Sequence, residues 1–273
     1  MTARYPVSVW FGAVIVLLFA VLAAFGPWLA PYGEGEIVGD VWEPASAAHW
    51  LGTDNIGRDL LSRLIYGGRT TIFVAIAATM VAFVVGTALG LFAAVIGGWV
   101  DQALSRLVDL IMAIPSLIFA LVVLSVMPVT VPILIVVIGL LEATRMFRLS
   151  RAVAADLAVM DFVEAAQLRG EGRGWVIFRE ILPNAISPLI AELGMRFIFV
   201  VLFVSTLSFL GLGIQPPNAD WGGIVKENKD GIVYGIPAAL LPAVAIAALA
   251  ISVNLVADWI LERTTSLKGG RNG

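Results

Sequence analysis

Five long stretches of this chain contain no Asp, Glu, Lys or Arg, and they limit its possible folds more than any other feature. They are Tyr5–Gly33, Thr70–Val100, Leu110–Leu141, Phe197–Ala219 and Gly231–Ala257. Each is long enough to cross about 30 Å of hydrocarbon, which takes roughly 20 helical residues. Only 14% of the 273 residues are charged, against about 25% in soluble domains. The sequence therefore predicts an integral membrane protein, and the absence of strand-like alternation favours helices over a barrel.

The third stretch is too long for one ordinary span, and two prolines divide it. Pro128 and Pro132 each lack a backbone donor and favour an extended turn. A hairpin is predicted there, with one helix over about 103–126 and another over about 132–149. The chain is thus predicted to be all-α with six transmembrane helices, the other four being Trp10–Leu29, Thr70–Gly97, Ser187–Gly211 and Ile236–Ile260.

Basic residues predict the orientation of these helices, because segments rich in Lys and Arg stay in the cytoplasm. If the N-terminus is cytoplasmic, most of the 17 Lys and Arg residues lie on that side, including Arg4, Arg106 and the arginines from Arg145 to Arg179. Both termini are therefore predicted to be cytoplasmic. The N-terminal apolar run is too long for a signal peptide and lacks a clear cleavage site, so we expect a retained first helix.

The missing residue types argue against several kinds of chemistry. The chain has no cysteine, and its one histidine, His49, cannot form a metal cluster alone. It contains no HExxH or GxSxG motif, and no phosphate-binding loop of the form GxxxxGK[ST]. We therefore expect no catalytic site, no metal and no cofactor bound by this chain. The net charge of −3 gives no indication of nucleic-acid binding.

The segment Asp161–Asn184, "DFVEAAQLRGEGRGWVIFREILPN", is polar although apolar stretches lie on both sides of it. Asp161 and Glu164 have the spacing of a capping box, which predicts the start of a helix. Ala165 and Ala166 then place two small side chains on the predicted helix surface, where another surface could approach the backbone closely.

Three glycines follow, at Gly170, Gly172 and Gly174, and they permit a tight reversal. A second short helix is predicted over Trp175–Leu182, ending at Pro183. These features describe a cytoplasmic helix–turn–helix, although an ordinary solvated loop between two spans would also account for the charges.

The order of residues in this segment resembles the EAA loop of ABC importer permeases. Glu164-Ala165-Ala166 is followed after three residues by Gly170, and later by Leu182-Pro183. In that family the loop forms a coupling helix that fits into a cleft of the cytoplasmic ATPase subunit. The resemblance implies an ATPase-coupling set made of Glu164, Ala165, Ala166, Gly170, Arg173, Leu182 and Pro183. The chain departs from the motif at Glu180, where isoleucine is usual.

Three further stretches resemble one branch of these permeases, that of the dipeptide, oligopeptide and nickel importers. Trp50–Ile72 contains "LGTDNIGRDLLSRLIYGGR", Gly97–Pro115 reads "GGWVDQALSRLVDLIMAIP", and Leu207–Gly223 reads "LSFLGLGIQPPNADWGG". In the first, Thr53 or Asp54 is predicted to cap an amphipathic helix on the outer membrane surface. The likeness is to the second-subunit type.

The third of these stretches resembles the external loop that lies near the external gate and the docked binding protein. The resemblance implies such a role for Gly211, Gly213, Pro216, Pro217 and Trp221, and Trp221 is also placed like an interfacial anchor. Two features differ from the family. Val204 is apolar where many relatives carry an acid, and the usual C-terminal motif is incomplete in "NLVADWILERTTSLKGG".

A few polar residues within the predicted spans are candidates for lining the transport pathway. Glu192 and Arg196 are four residues apart, which suits either a structural ion pair or a polar pathway. Ser205 and Ser208 could line a polar passage or bond to their own helix. Asn254 could likewise bond between helices or contact the solute.

Together these resemblances imply the permease subunit of an ABC importer with the type I (MetI-like) fold. It would translocate peptides or a related small solute, driven by partner ATPases that hold ATP and magnesium. The implied partners are a second permease, two ATPases, a solute-binding protein and membrane lipid, in the inner plasma membrane of a bacterium or archaeon. An ion-coupled secondary transporter or channel subunit is the alternative, and it would favour acids deep in the spans.

The spans and the polar segments between them predict a division of the chain. Residues 1–30 would hold the first helix, and 31–69 an external segment with the amphipathic helix. Residues 70–261 would form a five-helix core that includes the coupling loop 150–186, and 262–273 a cytoplasmic tail.

Overall fold

The computed structural model describes residues 7–269, and helices make up most of this part of the chain. Isolated bridges join Ile37 to Arg58 and Thr53 to Asp59, and residues 7–269 contain no strand. The predicted all-α class is therefore confirmed. The principal helices are α1 Val7–Leu29, α2 Leu60–Ile96, α3 Gly98–Met112, α4 Ser116–Val126, α5 Val131–Ala158, α6 Asp161–Leu168, α7 Arg173–Trp175, α8 Leu182–Leu210, α9 Trp221–Asn228 and α10 Leu240–Gly269.

Four helical stretches are long and apolar enough to cross a membrane. They are Ser8–Leu29, Leu60–Ile96, Arg173–Leu210 and Pro237–Ile260, and the pair α3 and α4 adds a fifth if it counts as one broken span. These stretches confirm a multi-pass membrane protein. Helix α5 is not among them, and its middle part carries Glu142, Arg145 and Arg148. The count of six spans and the cytoplasmic termini stay predictions.

The single helix expected over 103–126 is wrong, because the chain breaks between α3 and α4. The two helices are bent by 83° at Ala113–Pro115. Pro115 cannot donate a backbone hydrogen bond, and its ring disfavours a helical conformation at the residue before it. The break therefore lies within the stretch that was expected to form the first arm of the hairpin.

The chain divides into two compact units. The first contains the residues up to Ile76 together with Leu121–Leu134 and Ile198–Val256. The second contains Ala77–Ala120, Ile135–Phe197 and the residues from Ala257 onward. The predicted domain limits stay predictions. Part of the expected tail, 262–269, lies in helix α10, whereas 270–273 and 1–6 lie outside the described residues.

Helices α2 and α5 pack closely in the second unit because two glycines of α2 carry no side chain. A Cβ on Gly86 would lie 2.5 Å from the carbonyl oxygen of Ala143, and one on Gly90 would lie 2.7 Å from that of Phe147. The hydroxyl of Ser150 donates to the carbonyl oxygen of Gly86 at 3.1 Å. The backbones therefore touch at a small-xxx-small pattern, which is how helices pack tightly in membranes.

We expect Gly86→Ala to lower the free energy of unfolding by about 1–3 kcal/mol, because the added methyl must displace the backbone of α5. Gly35→Ala is the control, since a Cβ at Gly35 meets no heavy atom within 4 Å. The measurement is the thermal unfolding midpoint of each variant in detergent. Equal midpoints for Gly86→Ala and wild type would contradict the close approach of the two helices.

Candidate functional site

The polar segment folds as a helical hairpin whose first arm is α6. This helix begins at Asp161, as predicted, but the capping box is wrong. Met160 is the N-cap residue and provides no side-chain cap, whereas Asp161 is already the first helical residue. The backbone N–H of Glu164 donates to the carbonyl oxygen of Met160 at 3.2 Å. Glu164 therefore lies one position too late for a capping box.

The two alanines of the motif face in different directions. Ala165 is exposed, but Ala166 is completely buried, so the expectation that both lie on the helix surface is wrong. Ala166 and Val163 share one face of α6, being three residues apart. The cluster around them consists of Leu91, Ala154, Val176, Ile177 and Ile181. Glu164 and Ala165 are thus left on the outer face of a packed hairpin.

Gly170 makes the reversal at the end of α6. Its φ angle is +86°, and its N–H donates to Gln167 while the N–H of Glu171 donates to Ala166. This pair of bonds is a Schellman motif, which places a left-handed residue just after the helix. Gly172 has φ −74° and ψ 159°, an ordinary extended conformation. Of these two glycines, only Gly170 therefore has a backbone that specifically favours glycine.

The second arm does not end at Pro183 as predicted. It runs from α7 through a π-helical stretch, Val176–Ile181, directly into α8, giving one helical stretch from Arg173 to Leu210. A proline ring normally clashes with the carbonyl four residues earlier, here that of Arg179. Since Arg179 lies in the wider π-helical stretch, the chain passes Pro183 without a break.

The hairpin exposes several large apolar side chains. Leu168 and Phe178 are 81% and 69% exposed, and Phe162 and Trp175 are partly so. The guanidinium of Arg169 lies 5.8 Å from the centre of the Trp175 ring and 3.7 Å from a carboxyl oxygen of Glu180. Grouped apolar side chains beside charged ones are typical of a protein-binding surface. The exposed face of the hairpin is therefore more apolar than an ordinary solvated loop.

The buried arginine of α8 is paired on two sides. Arg196 Nη1 lies 2.9 Å from Glu142 Oε2, and Arg196 Nε lies 2.7 Å from Glu192 Oε1. The predicted i,i+4 pair is thus present, and Glu142 is a further partner that the local spacing did not indicate. Two carboxylates around one guanidinium lower the cost of holding these charges away from water.

The other pathway candidates have different environments. Ser205 is buried and lines a cavity of about 280 Å³ with Thr206. The Ser208 hydroxyl instead accepts from the N–H of Ile214 at 3.2 Å, which ties it to the loop after α8. Asn254 is exposed on α10. Of these three serine and asparagine candidates, Ser205 is the one that lines this cavity.

The loop after α8 and the first residue of α9 provide the five residues expected at the external gate. Gly211 has φ +91° and ends α8, as predicted. Gly213 packs against Ser208, whereas Pro216 and Pro217 are exposed. Trp221 is only 1% exposed, so its expected role as an interfacial anchor is wrong.

Trp221 anchors this loop inside the first unit. Its indole N–H donates to the carbonyl oxygen of Leu64 at 3.0 Å, and its backbone N–H donates to Thr71 Oγ1 at 3.1 Å. The ring of Phe19 meets it edge-on at 5.4 Å, and Gly68 leaves room for the indole. The tryptophan therefore joins α1, α2 and α9, with its polar N–H satisfied.

The start of α2 also differs from the prediction. The carboxylate of Asp59, rather than Thr53 or Asp54, accepts from the N–H of Ser62 at 2.8 Å and caps the helix. The helix then continues as α2 for 37 residues, so it is not a separate amphipathic helix. His49 Nδ1 lies 3.3 Å from the same Asp59.

Arg58 and Arg63 are buried in a charge cluster that also contains Asp54 and Glu227. Asp54 Oδ2 lies 2.6 Å from Arg58 Nε and 2.7 Å from Arg63 Nη1. Arg58 Nη2 lies 2.7 Å from Glu227 Oε2, and Arg63 contacts the same oxygen. Burial alone would raise the pKa of Asp54, but hydrogen bonds from the N–H groups of Ile56 and Arg58 and from Arg63 hold it below the ordinary value.

Asp220 is a buried acid whose pKa shifts in the opposite direction from that of Asp54. It is the N-cap of α9, where its carboxylate accepts from the N–H of Gly222 at 3.2 Å. Burial raises the pKa of Asp220 to about 6, although hydrogen bonds with Ser208 and two backbone N–H groups oppose the rise. The carboxyl of Asp220 therefore ionises at a higher pH than an ordinary aspartic acid does.

We expect the free energy of unfolding to fall as the pH rises from about 4 to about 6, by roughly 3 kcal/mol for a shift of this size. In that window the carboxyl of Asp220 is ionised in the unfolded chain but still protonated in the folded one, since its ordinary pKa is 3.8. Asp220→Asn should remove this part of the fall while keeping the cap. The measurement is the unfolding midpoint of wild type and of Asp220→Asn as a function of pH. If the two curves stay parallel between about pH 4 and about pH 6, the prediction is contradicted.

Among the residues that the structure describes, no group of three or more His, Asp or Glu side chains is placed to hold a metal ion.

Comparison with known proteins identifies the family. Residues 86–266 match the family model described as "Binding-protein-dependent transport system inner membrane component". Dipeptide transport system permease protein DppC of Alkalihalophilus pseudofirmus is 32% identical over 253 residues, covering 92% of this chain and 83% of that protein. Glutathione transport system permease protein GsiD of Pectobacterium atrosepticum is 32% identical over 262 residues, covering 95% and 86%.

Probable D,D-dipeptide transport system permease protein DdpC of Escherichia coli is 31% identical over 262 residues, covering 95% of this chain and 87% of that protein. The family match covers well over half of the chain, and these similarities extend over nearly all of it. The chain therefore belongs to the family of binding-protein-dependent transport system inner membrane components, and within it to the DppC-like ABC permeases.

Proposed function

We propose that this chain is the permease subunit of an ABC importer that takes up di- or oligopeptides delivered by a solute-binding protein. Three relatives support the substrate class, because their names specify a dipeptide, glutathione and a D,D-dipeptide. All three solutes are short peptides or peptide-like. Nickel has no such support, since His49 is the one histidine and contacts Asp59.

The observation that carries the proposal is the packed hairpin with an exposed motif face. Glu164 and Ala165 lie on the outside of α6, while Val163 and Ala166 fix that helix to α2 and α5. A push on the outer face would therefore reach the membrane helices through buried contacts. We infer that this face receives the movement of the ATPase dimer.

The other subunits and the orientation of the transporter follow from assigning this face to the ATPase. The chain would pair with a second permease, and two cytoplasmic ATPases would bind and hydrolyse ATP with magnesium. The hairpin and both termini would face the cytoplasm from the inner plasma membrane, in line with the bias of Lys and Arg. Loaded binding protein would dock on the opposite side, where Pro216 and Pro217 are exposed.

Within the membrane, alternating access would move the peptide between the two permease subunits. The cavity at Ser205 is a candidate for part of that route. It is lined by Thr206 and by apolar side chains such as Leu202 and Phe209, and none of the described residues that line it is charged. Such a lining suits a solute that passes through without binding tightly.

The test is a gentle pull-down of the tagged chain from its native membranes, with mass identification of its partners. Wild type should recover an ATPase and a second permease. Ala165→Trp places a bulky side chain on the proposed contact face, so it should lose the ATPase and keep the second permease. Ala45→Trp, at an exposed alanine before α2, is the matched control and should keep both.

Recovery of the chain alone, or only as a homo-oligomer, would contradict the importer assembly and support an ion-coupled transporter instead. Equal recovery of the ATPase with Ala165→Trp would contradict the coupling face but not the importer. A binding protein recovered with the complex could then be tested with labelled dipeptides for the substrate class.

A further inference from the structure

An apolar groove of about 500 Å³ runs between the second half of α2 and the second arm of the hairpin. Helix α2 contributes Val84, Ala88 and Phe92, which are all exposed, and the hairpin contributes Ile177 and Phe178. The groove lies entirely within the second unit. One of its walls is α2, a helix long and apolar enough to cross a membrane.

A single charged residue lines this groove. Arg173 lies in α7, in the arm of the hairpin that faces α2, and it lines the groove together with Ile96, the last residue of α2. Within the described part of the chain, Arg173 has no carboxylate within salt-bridge distance, whereas Arg169 has Glu180. A cation placed where a span ends is well situated for a phosphate group of the membrane surface.

We propose that this groove binds one anionic phospholipid. An acyl chain lies along the apolar walls, and the phosphate pairs with Arg173. A peptide segment fits the groove poorly, because its backbone N–H and C=O groups would find almost no partners there. The proposal assigns Arg173 to the lipid rather than to the ATPase, and it does not depend on the solute that is carried.

The position of the groove gives this lipid a structural consequence. Its walls are α2 and the hairpin arm that continues into α8. A lipid bound there would join the proposed coupling hairpin to a membrane helix. We therefore expect an anionic lipid to strengthen the hold of the hairpin on the membrane part of the chain.

The first experiment is native mass spectrometry of the purified transporter complex after incubation with equal amounts of phosphatidylglycerol and phosphatidylethanolamine. Arg173→Gln should lower retained phosphatidylglycerol by roughly fivefold, the effect of one basic residue near an anionic headgroup. Retention of phosphatidylethanolamine should change little. Arg179→Gln removes the same charge from the same hairpin outside the groove and should retain the lipid as wild type does.

A second pair of variants tests the groove itself. Ala88→Trp should fill it and displace the lipid, whereas Leu89→Trp, at the neighbouring exposed position outside the groove, should not. Wild-type retention of phosphatidylglycerol by both Arg173→Gln and Ala88→Trp would overturn the proposal. Cross-linking of Ala88→Cys to another protein subunit, with no lipid bound, would overturn it as well.

Discussion

Gly170→Leu is expected to abolish ATP-driven uptake while leaving the amount of chain inserted in the membrane unchanged. Gly170 has φ +86°, a left-handed conformation that costs other residues about 1–2 kcal/mol. Leucine at this position would distort the Schellman turn and change the direction in which α6 leaves the hairpin. A Cβ at Gly170 meets no heavy atom within 4 Å, so the expected effect comes from the backbone conformation and not from a contact of the added Cβ.

The matched control is Gly172→Leu, two residues further along the same turn. Gly172 is also free of heavy atoms within 4 Å of an added Cβ, but its φ of −74° suits any residue. The pair therefore adds the same side chain with and without backbone strain. Uptake by membrane vesicles, normalised to the inserted protein, is the measurement. Wild-type uptake by Gly170→Leu would contradict the coupling assignment, and equal loss in both variants would attribute the effect to bulk instead.

The features that could be predicted from the sequence depend on local chemistry. Charge-free stretches predict membrane helices because hydrocarbon excludes charges, and four of the stretches confirm it. The ends of α6 and α8 could also be predicted, since Gly170 and Gly211 supply the left-handed residues that these turns need. Each signal lies within a few residues of the structure it determines.

The features that could not be predicted depend on contacts between distant residues. Ala165 and Ala166 are adjacent residues of the same type. Ala166 is the buried one because its side of the helix packs against Leu91 and Ala154. The residues next to Trp221 in the sequence are typical of a membrane–water interface. In the structure, however, Trp221 packs against α2, where its indole N–H donates to the carbonyl oxygen of Leu64. The capping box failed for a smaller reason, because α6 starts one residue before the position that the motif needs.

The charge cluster around Asp54 is the clearest example of a distant contact. The sequence predicts an amphipathic helix in this region, and in such a helix Arg58 and Arg63 would lie off the apolar face. Both are in fact buried, because Glu227 approaches from a point 169 residues later than Arg58. Nothing near either arginine in the sequence indicates that partner. The same contact fixes the segment before α2 to α9, and two bonds to Asn228 Oδ1 reinforce it, at 3.2 Å from the Trp42 indole and 3.0 Å from the Asn55 N–H.

We expect Asp54→Ala to lower the free energy of unfolding by about 3–5 kcal/mol, because it leaves two buried guanidinium groups with one carboxylate between them. The carboxylate of Asp54 is completely buried, and it also accepts from the N–H groups of Ile56 and Arg58, both at 3.0 Å. The loss should be visible as a lower unfolding midpoint and as faster proteolysis of the segment before α2. Asp54→Asn keeps one acceptor oxygen and should lose less.

Asp230→Ala is the matched control for the charge itself. Asp230 also pairs with a basic residue, Lys229 at 3.0 Å, but its side chain is 76% exposed. An exposed pair contributes about 0–1 kcal/mol, so this variant should unfold close to wild type. If the two alanine variants unfolded at the same midpoint, burial would not be what makes the cluster important. The segment before α2 would then be held mainly by its bonds to Asn228, and Asn228→Ala would be the variant that releases it.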